Sequence, residues 1–151
     1  MLNVPQTPEI ENRFVEIDDD VIFDTKGRLI WLKKDTWLLC GKWLNWVQTR
    51  DYAEELNRKK FAGYSDWRLP TSIEAKSLFD KRYQNKDHMG QPVCLHHAFP
   101  GGAGFLCWTS DVRNKIQAVR FGYRRGTSMF DDIYRVSRGS ARFVRALSKS
   151  E

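Results

Sequence analysis

The stretch Asp66-Trp67-Arg68-Leu69-Pro70 constrains this chain more than any other. Proline has no N–H to give a helix, and it pushes the residue before it toward extended backbone, so no helix runs through Leu69-Pro70. Directly after it, Thr71 and Glu74 form a T-x-x-E capping box, which starts a helix with Ala75, Leu78 and Phe79 on its inner face. Directly before it, a helical pattern runs from Asn45 to about Lys59 and is closed by Gly63-Tyr64. Asn45 can cap that first helix, with Gln48 as the capping-box partner. Trp46, Thr49, Ala53 and Leu56 recur at spacings of three and four and make one buried stripe. Two helices therefore meet at a fixed joint. An Asp-Trp-Arg run with no His or Ser beside it has no activated nucleophile, so the joint reads as architecture and not as a reactive centre.

The remaining segments are shorter. Residues 1–12 are polar, hold two prolines and read as a flexible N-terminal arm, with a single domain over 13–151. Residues 13–17 alternate like a strand. Residues 21–23 and 28–32 flank Asp24-Thr25-Lys26-Gly27, a hairpin turn with its positive φ expected at Gly27. Residues 36–44 fit either a strand or a lead-in turn. A long segment over 83–104 is rich in Gly, Pro, His and Asn, and loops of that length are usually functional or mobile. Strand patterns follow at 105–109, 116–123 and 141–147, with turns around Gly126 and Asp131-Asp132. Helices in the first half and strands at both ends make an α+β domain.

The chain of 151 residues holds six Trp and nine Phe, and such side chains fill cores built from short elements. No apolar run nears the roughly 20 residues of a membrane span, so no membrane insertion is expected. No signal peptide is visible, which points to the cytoplasm. Cys40, Cys94 and Cys107 are an odd set without tight spacing and read as reduced thiols, a Cys94–Cys107 bridge being the alternative. Charge is unevenly placed. Residues 1–110 hold equal numbers of acids and bases, whereas residues 111–151 hold 10 Lys and Arg against 4 Asp and Glu, and eight of the ten are Arg. The planar arginine fork suits carboxylate, phosphate or sulfate.

The order of these pieces resembles the Lcl C-terminal domain, the C-terminal module of a bacterial collagen-like adhesin. The resemblance rests on GYSDWRLPT at 63–71 with the Glu74 helix, on RFV at 13–15, DTKGRLIW at 24–31 and on Trp46, Tyr52-Ala53 and Leu56-Asn57. Downstream it rests on FP at 99–100, WTS at 108–110 and RFVRAL at 142–147. It implies a C-type-lectin-like fold: two helices on a small twisted antiparallel sheet, a long loop region, paired first and last strands and termini close together. It also implies that Trp67 fills the joint between the two helices, that Asp66 accepts backbone or arginine hydrogen bonds, and that the domain has an extracellular or surface role.

On that frame the calcium and zinc signatures are incomplete. Lectin calcium sites use Glu-Pro-Asn or Gln-Pro-Asp with Trp-Asn-Asp, but here Gln91-Pro92 precedes Val93 and Trp108 precedes Thr109-Ser110-Asp111. Too few oxygen ligands remain for calcium. Cys94, His96, His97 and Cys107 lack a zinc spacing, and the two histidines read as solvated loop residues. No metal or cofactor is expected. No G-x-S-x-G elbow occurs, so no catalytic residues are assigned. The expected function is a non-catalytic binding module for an anionic glycan or protein surface. Its ligand residues are expected to be Trp108, Asp111, Arg113, Arg120, Arg124, Arg125, Tyr134 and Arg135, with Arg120 and Arg124 on the outer face of a strand whose inner face is Val119, Phe121 and Tyr123. Nucleic-acid binding through the same arginines, or an enzyme related to sulfatase-modifying factors using the 83–107 loop, are the alternatives.

Overall fold

The computed structural model describes residues 12–148, so the arm predicted over 1–12 lies outside it apart from Asn12. In chain order the elements are β1 (Phe14–Glu16), β2 (Val21–Asp24), β3 (Leu29–Leu32), α1 (Thr36–Cys40), α2 (Trp46–Arg58), α3 (Ser72–Ser77), β4 (Asn85–Lys86), β5 (Pro92–Val93), β6 (Leu106–Arg113), β7 (Gln117–Gly122), β8 (Thr127–Asp132) and β9 (Val144–Ala146). The strands form three antiparallel sheets, ordered β1-β2-β3-β9, β4-β5 and β6-β7-β8. The α+β architecture is the one the sequence predicts.

Both capping boxes are present. The Asn45 side chain accepts from the Gln48 N–H and the Gln48 side chain accepts from the Asn45 N–H, and Thr71 and Glu74 do the same for α3. The stripe Thr49, Ala53 and Leu56 is buried, as are Ala75 and Leu78. The joint between α2 and α3 is held by a dense set of hydrogen bonds. Asn57 clamps the Trp67 main chain, donating to its carbonyl at 2.9 Å and accepting from its N–H at 2.7 Å. The Trp67 indole is buried and donates to the Phe61 carbonyl at 3.0 Å. Asp66 accepts from Arg145 at 2.7 Å, and Arg68 makes a two-pronged pair with Glu74. The Arg68 main chain also bonds Val144 in both directions, so the joint is stitched to the last strand.

Several expectations change. Residues 36–40 form neither a strand nor a turn but the helix α1, because Asp35 accepts from the Leu38 N–H and Gly41 ends the turn at φ 69°. The β2–β3 turn takes its positive φ at Arg28 and not at Gly27. The last strand pairs with β3, while β1 is the opposite edge. Two strands separate β1 from β9, about 14 Å at the usual strand spacing, so the first and last strands are not partners. Residues 127–132, read as turns, are the edge strand β8.

The core has two parts. One surrounds Trp31, Leu78, Phe99, Phe121 and Tyr123, and the other Val21, Leu32, Trp67, Trp108 and Phe143. The Tyr123 hydroxyl, just after β7, reaches across to α3 and donates to the Ala75 carbonyl at 2.7 Å. His96 is not a solvated loop residue. It is buried between Phe14 and Tyr83, each ring at 5.0 Å, and stacks on His97 at 4.2 Å. Its Nδ1 accepts from the Ala98 N–H, and burial with the neighbouring His97 and Arg13 lowers its pKa to about 4.

Candidate functional site

The expected ligand residues do not form one surface. Trp108 has no exposure, and its indole donates to the Leu44 carbonyl at 3.1 Å. Arg120 is only 2% exposed, with its guanidinium 4.5 Å from the Trp108 ring centre, bonded to Asp131 at 2.9 Å and to the Ser137 carbonyl at 2.8 Å. The outer-face placement of Arg120 is therefore corrected. Strand alternation separates Arg120 from Val119 and Phe121, but here both faces of β7 are covered. Trp108 and Arg120 are an internal pillar of the β6-β7-β8 sheet.

The exposed members divide into two groups. Asp111, Arg113, Tyr134 and Arg135 lie around the far end of that sheet. Asp111 accepts from the Ser72 N–H, Arg113 stacks on Phe130 at 3.7 Å, and Arg135 bonds Asp131 at 2.7 Å. Burial of Asp131 is outweighed by its bonds from Arg135 and Arg120, which hold its carboxyl below the usual carboxylate range. Arg124 and Arg125 lie instead at the β7–β8 turn.

Arg124 leads to a set of residues that the sequence reading did not join. Its guanidinium is 3.8 Å from the Phe105 ring centre and donates to Asp87 at 2.7 Å. Asp87 is buried and also accepts from the N–H groups of Met89 and Gln91, so the carboxylate that orients Arg124 is itself fixed. Despite its burial, these bonds hold the Asp87 carboxyl low. Arg138 approaches the same Phe105 ring at 5.9 Å. On the other side, Phe105 lies parallel to His88 at 6.2 Å, His88 meets Trp43 edge-on at 4.8 Å, and Trp43 stacks on Trp37 at 4.0 Å and 13°. Trp37, Trp43, His88, Phe105 and Arg124 are half-exposed, and Arg125 and Arg138 are exposed. A row of four aromatic rings thus ends in a cluster of guanidinium groups.

Main-chain crossings bring these segments together. A Cβ on Gly104 would lie 2.5 Å from the Ser140 hydroxyl and 3.1 Å from the Trp43 ring, and a Cβ on Gly139 would collide with the Leu44 carbonyl. Only glycine lets the 101–105 and 138–140 segments pass so close to the α1–α2 turn. The Gly104 N–H donates to Asp35 at 2.8 Å, and the Leu44 N–H donates to the Gly139 carbonyl at 2.8 Å. The signal available in sequence was the unusual number of Trp and the long 83–104 segment. Trp37 and Trp43 share one segment, but no spacing connects them to His88 and Phe105, which come from other segments.

A family model, the Lcl C-terminal domain, matches residues 20–146. The chain belongs to that family. Comparison with curated proteins returns no match.

Cys40, Cys94 and Cys107 are free thiols. Cys94 lines a groove with Lys81, Tyr83, Lys86 and Val93, but Cys107 is buried outside that lining, and burial raises its pKa to about 11. Among the described residues no three His, Cys, Asp or Glu side chains meet as a metal site would require, and no helix is long and apolar enough to cross a membrane.

Proposed function

We propose that this domain is a non-catalytic binding module of C-type-lectin-like fold, and that it recognises an anionic glycan or an anionic protein surface. The observation that carries the reading is the placement of Arg124. It is locked by a buried carboxylate, stacked on Phe105 beside Arg138, and continuous with the half-exposed Trp37–Trp43 stack. Such an arrangement offers ring faces for the apolar side of a ligand and two-pronged donors for its sulfate or carboxylate groups. A side chain held before the ligand arrives loses less freedom on binding. The inert Cys107 supports the non-catalytic reading, since a reactive cysteine needs a lowered pKa and access.

The test is a salt series on a sulfated-polymer column. The Arg124/Arg125/Arg138→Ala variant should elute at clearly lower salt than a Lys59/Lys60→Ala variant, per charge removed. Arg124→Lys should also weaken retention, because lysine keeps the charge and loses the fork. Equal shifts per charge would mean that only net charge matters. Tighter retention on single-stranded DNA than on the sulfated polymer would favour the nucleic-acid reading, since base stacking on an aromatic row serves that ligand too.

A further inference from the structure

The outer edge of the β6-β7-β8 sheet has a defined set of unpaired main-chain groups. Gly122 accepts from the Gly126 N–H at 2.9 Å and Ile116 accepts from the Ile133 N–H at 3.0 Å. The even-numbered residues of β7 therefore face β8. With Arg120 opposite Met129, the odd-numbered residues of β8 face back toward β7. The N–H and C=O groups of Ser128, Phe130 and Asp132 then point outward. Asp132 is already engaged, because its N–H donates to the Asp131 side chain and its carbonyl accepts from the Arg135 N–H. Ser128 and Phe130 present two donors and two acceptors to solvent. Five of the six β8 residues are exposed, including Met129 and Phe130, and β8 holds no Lys or Pro. Edge strands that must stay single commonly carry such residues.

We propose that β8 pairs with β8 of a second copy of this chain, antiparallel about a two-fold axis through Met129. In that register Ser128 of one copy faces Phe130 of the other, and the two pairs exchange four hydrogen bonds, which uses every free group on the edge. Side-chain chemistry agrees with it. Asp131 falls opposite Thr127 of the second copy and Asp132 opposite Gly126, so no like charges meet. Arg125 falls diagonal to Asp131 of the second copy, an opposite-charge neighbour. Met129 meets Met129 across the axis at a non-hydrogen-bonded position, where facing Cα atoms are about 4.5 Å apart. The pairing also joins two three-stranded sheets into one of six strands. It carries the Arg124–Arg125 turns of both copies on a single rigid body.

Sedimentation of the wild-type chain between about 1 µM and 1 mM, the span of weak association, should show the mass rise from 17.8 kDa toward twice that value. Phe130→Pro removes an outward N–H that the monomer does not use, so it should stay monomeric across the range while keeping the wild-type circular dichroism spectrum. In a Cys40→Ser/Cys94→Ser background, Met129→Cys should form a disulfide-linked dimer on mild oxidation, whereas Thr127→Cys should not. The cross-link reads the register even if Phe130→Pro fails to fold. A wild-type chain that is monomeric throughout, a dimer that survives Phe130→Pro, or equal cross-linking at positions 127 and 129 would overturn the proposal.

Discussion

Two regions of this molecule are made of the same residue types and behave differently. The joint at 66–70 and the aromatic row from Trp37 to Arg138 both combine tryptophan, arginine and aspartate. In the joint, Trp67 is buried, Asn57 satisfies its main chain, and Asp66 and Arg68 each have a partner. In the row, Asp87 fixes Arg124 just as firmly, but the rings stay half-exposed. The chemistry of the side chains is shared, and what differs is how much contact surface remains after folding. At the joint Trp67 and Leu69 are buried and only Asp66 and Arg68 reach solvent, whereas in the row the rings themselves do.

The largest effect that can break this comparison is Trp67→Ala. Truncating an indole packed between two helices costs about 3–5 kcal/mol, and thermal melting of the variant should fall accordingly. A variant that kept its melting temperature while losing a ligand would put the joint among the binding residues.

Acid gives the next largest effect, away from both regions. The folded-state pKa of His96 lies at about 4, below its ordinary value of 6.5. The unfolded chain therefore takes up the proton first. Its contribution to stability is complete above pH 6.5 and is lost as pH falls toward 4, on the order of 3 kcal/mol in all. Urea titrations across that window should show the loss, and His96→Phe should flatten it. A wild-type slope retained in that variant would assign the effect to another group.

Asn57→Ala should cost about 2 kcal/mol, because it leaves the Trp67 N–H and C=O without their partner. Chemical denaturation measures it, and a cost near zero would mean that water replaces the amide and that the joint is less closed than its geometry. The smallest stability effect should come from Trp43→Ala. A half-exposed stacked ring is worth about 1 kcal/mol, yet retention on the sulfated polymer should drop markedly. Loss of stability comparable to that of Trp67→Ala would erase the distinction between the two regions.

The parts of the fold that local chemistry dictates were legible in the sequence. Asn45–Gln48 and Thr71–Glu74 announce their helices because a capping box is a contact between residues three apart. α1 was not legible, since five residues give no periodicity and its cap, Asp35, is completed by Gly104 from a distant segment. β8 was hidden because both of its apolar residues are exposed, so burial leaves no alternating pattern. Arg120 was misplaced for the opposite reason. Alternation identifies the face of a strand but not what covers that face, and Trp108 and Asp131 cover this one. The aromatic row was out of reach because the local Trp37–Trp43 stack meets His88 and Phe105 only through long-range crossings.

Those crossings have a consequence for the proposed binding role. Gly104 and Gly139 fix where three segments pass one another, and the contacts that enforce this are largely with main chain or with buried groups. The half-exposed rings and guanidinium groups stand around that frame, with Trp43 packed against Gly104 and Arg124 tied to Asp87. Under the proposed binding role, the exposed Arg125 and Arg138 are the tips that a change can alter while the handle beneath them stays in place. A glycine changed at either crossing would instead move the handle itself, and with it every tip at once.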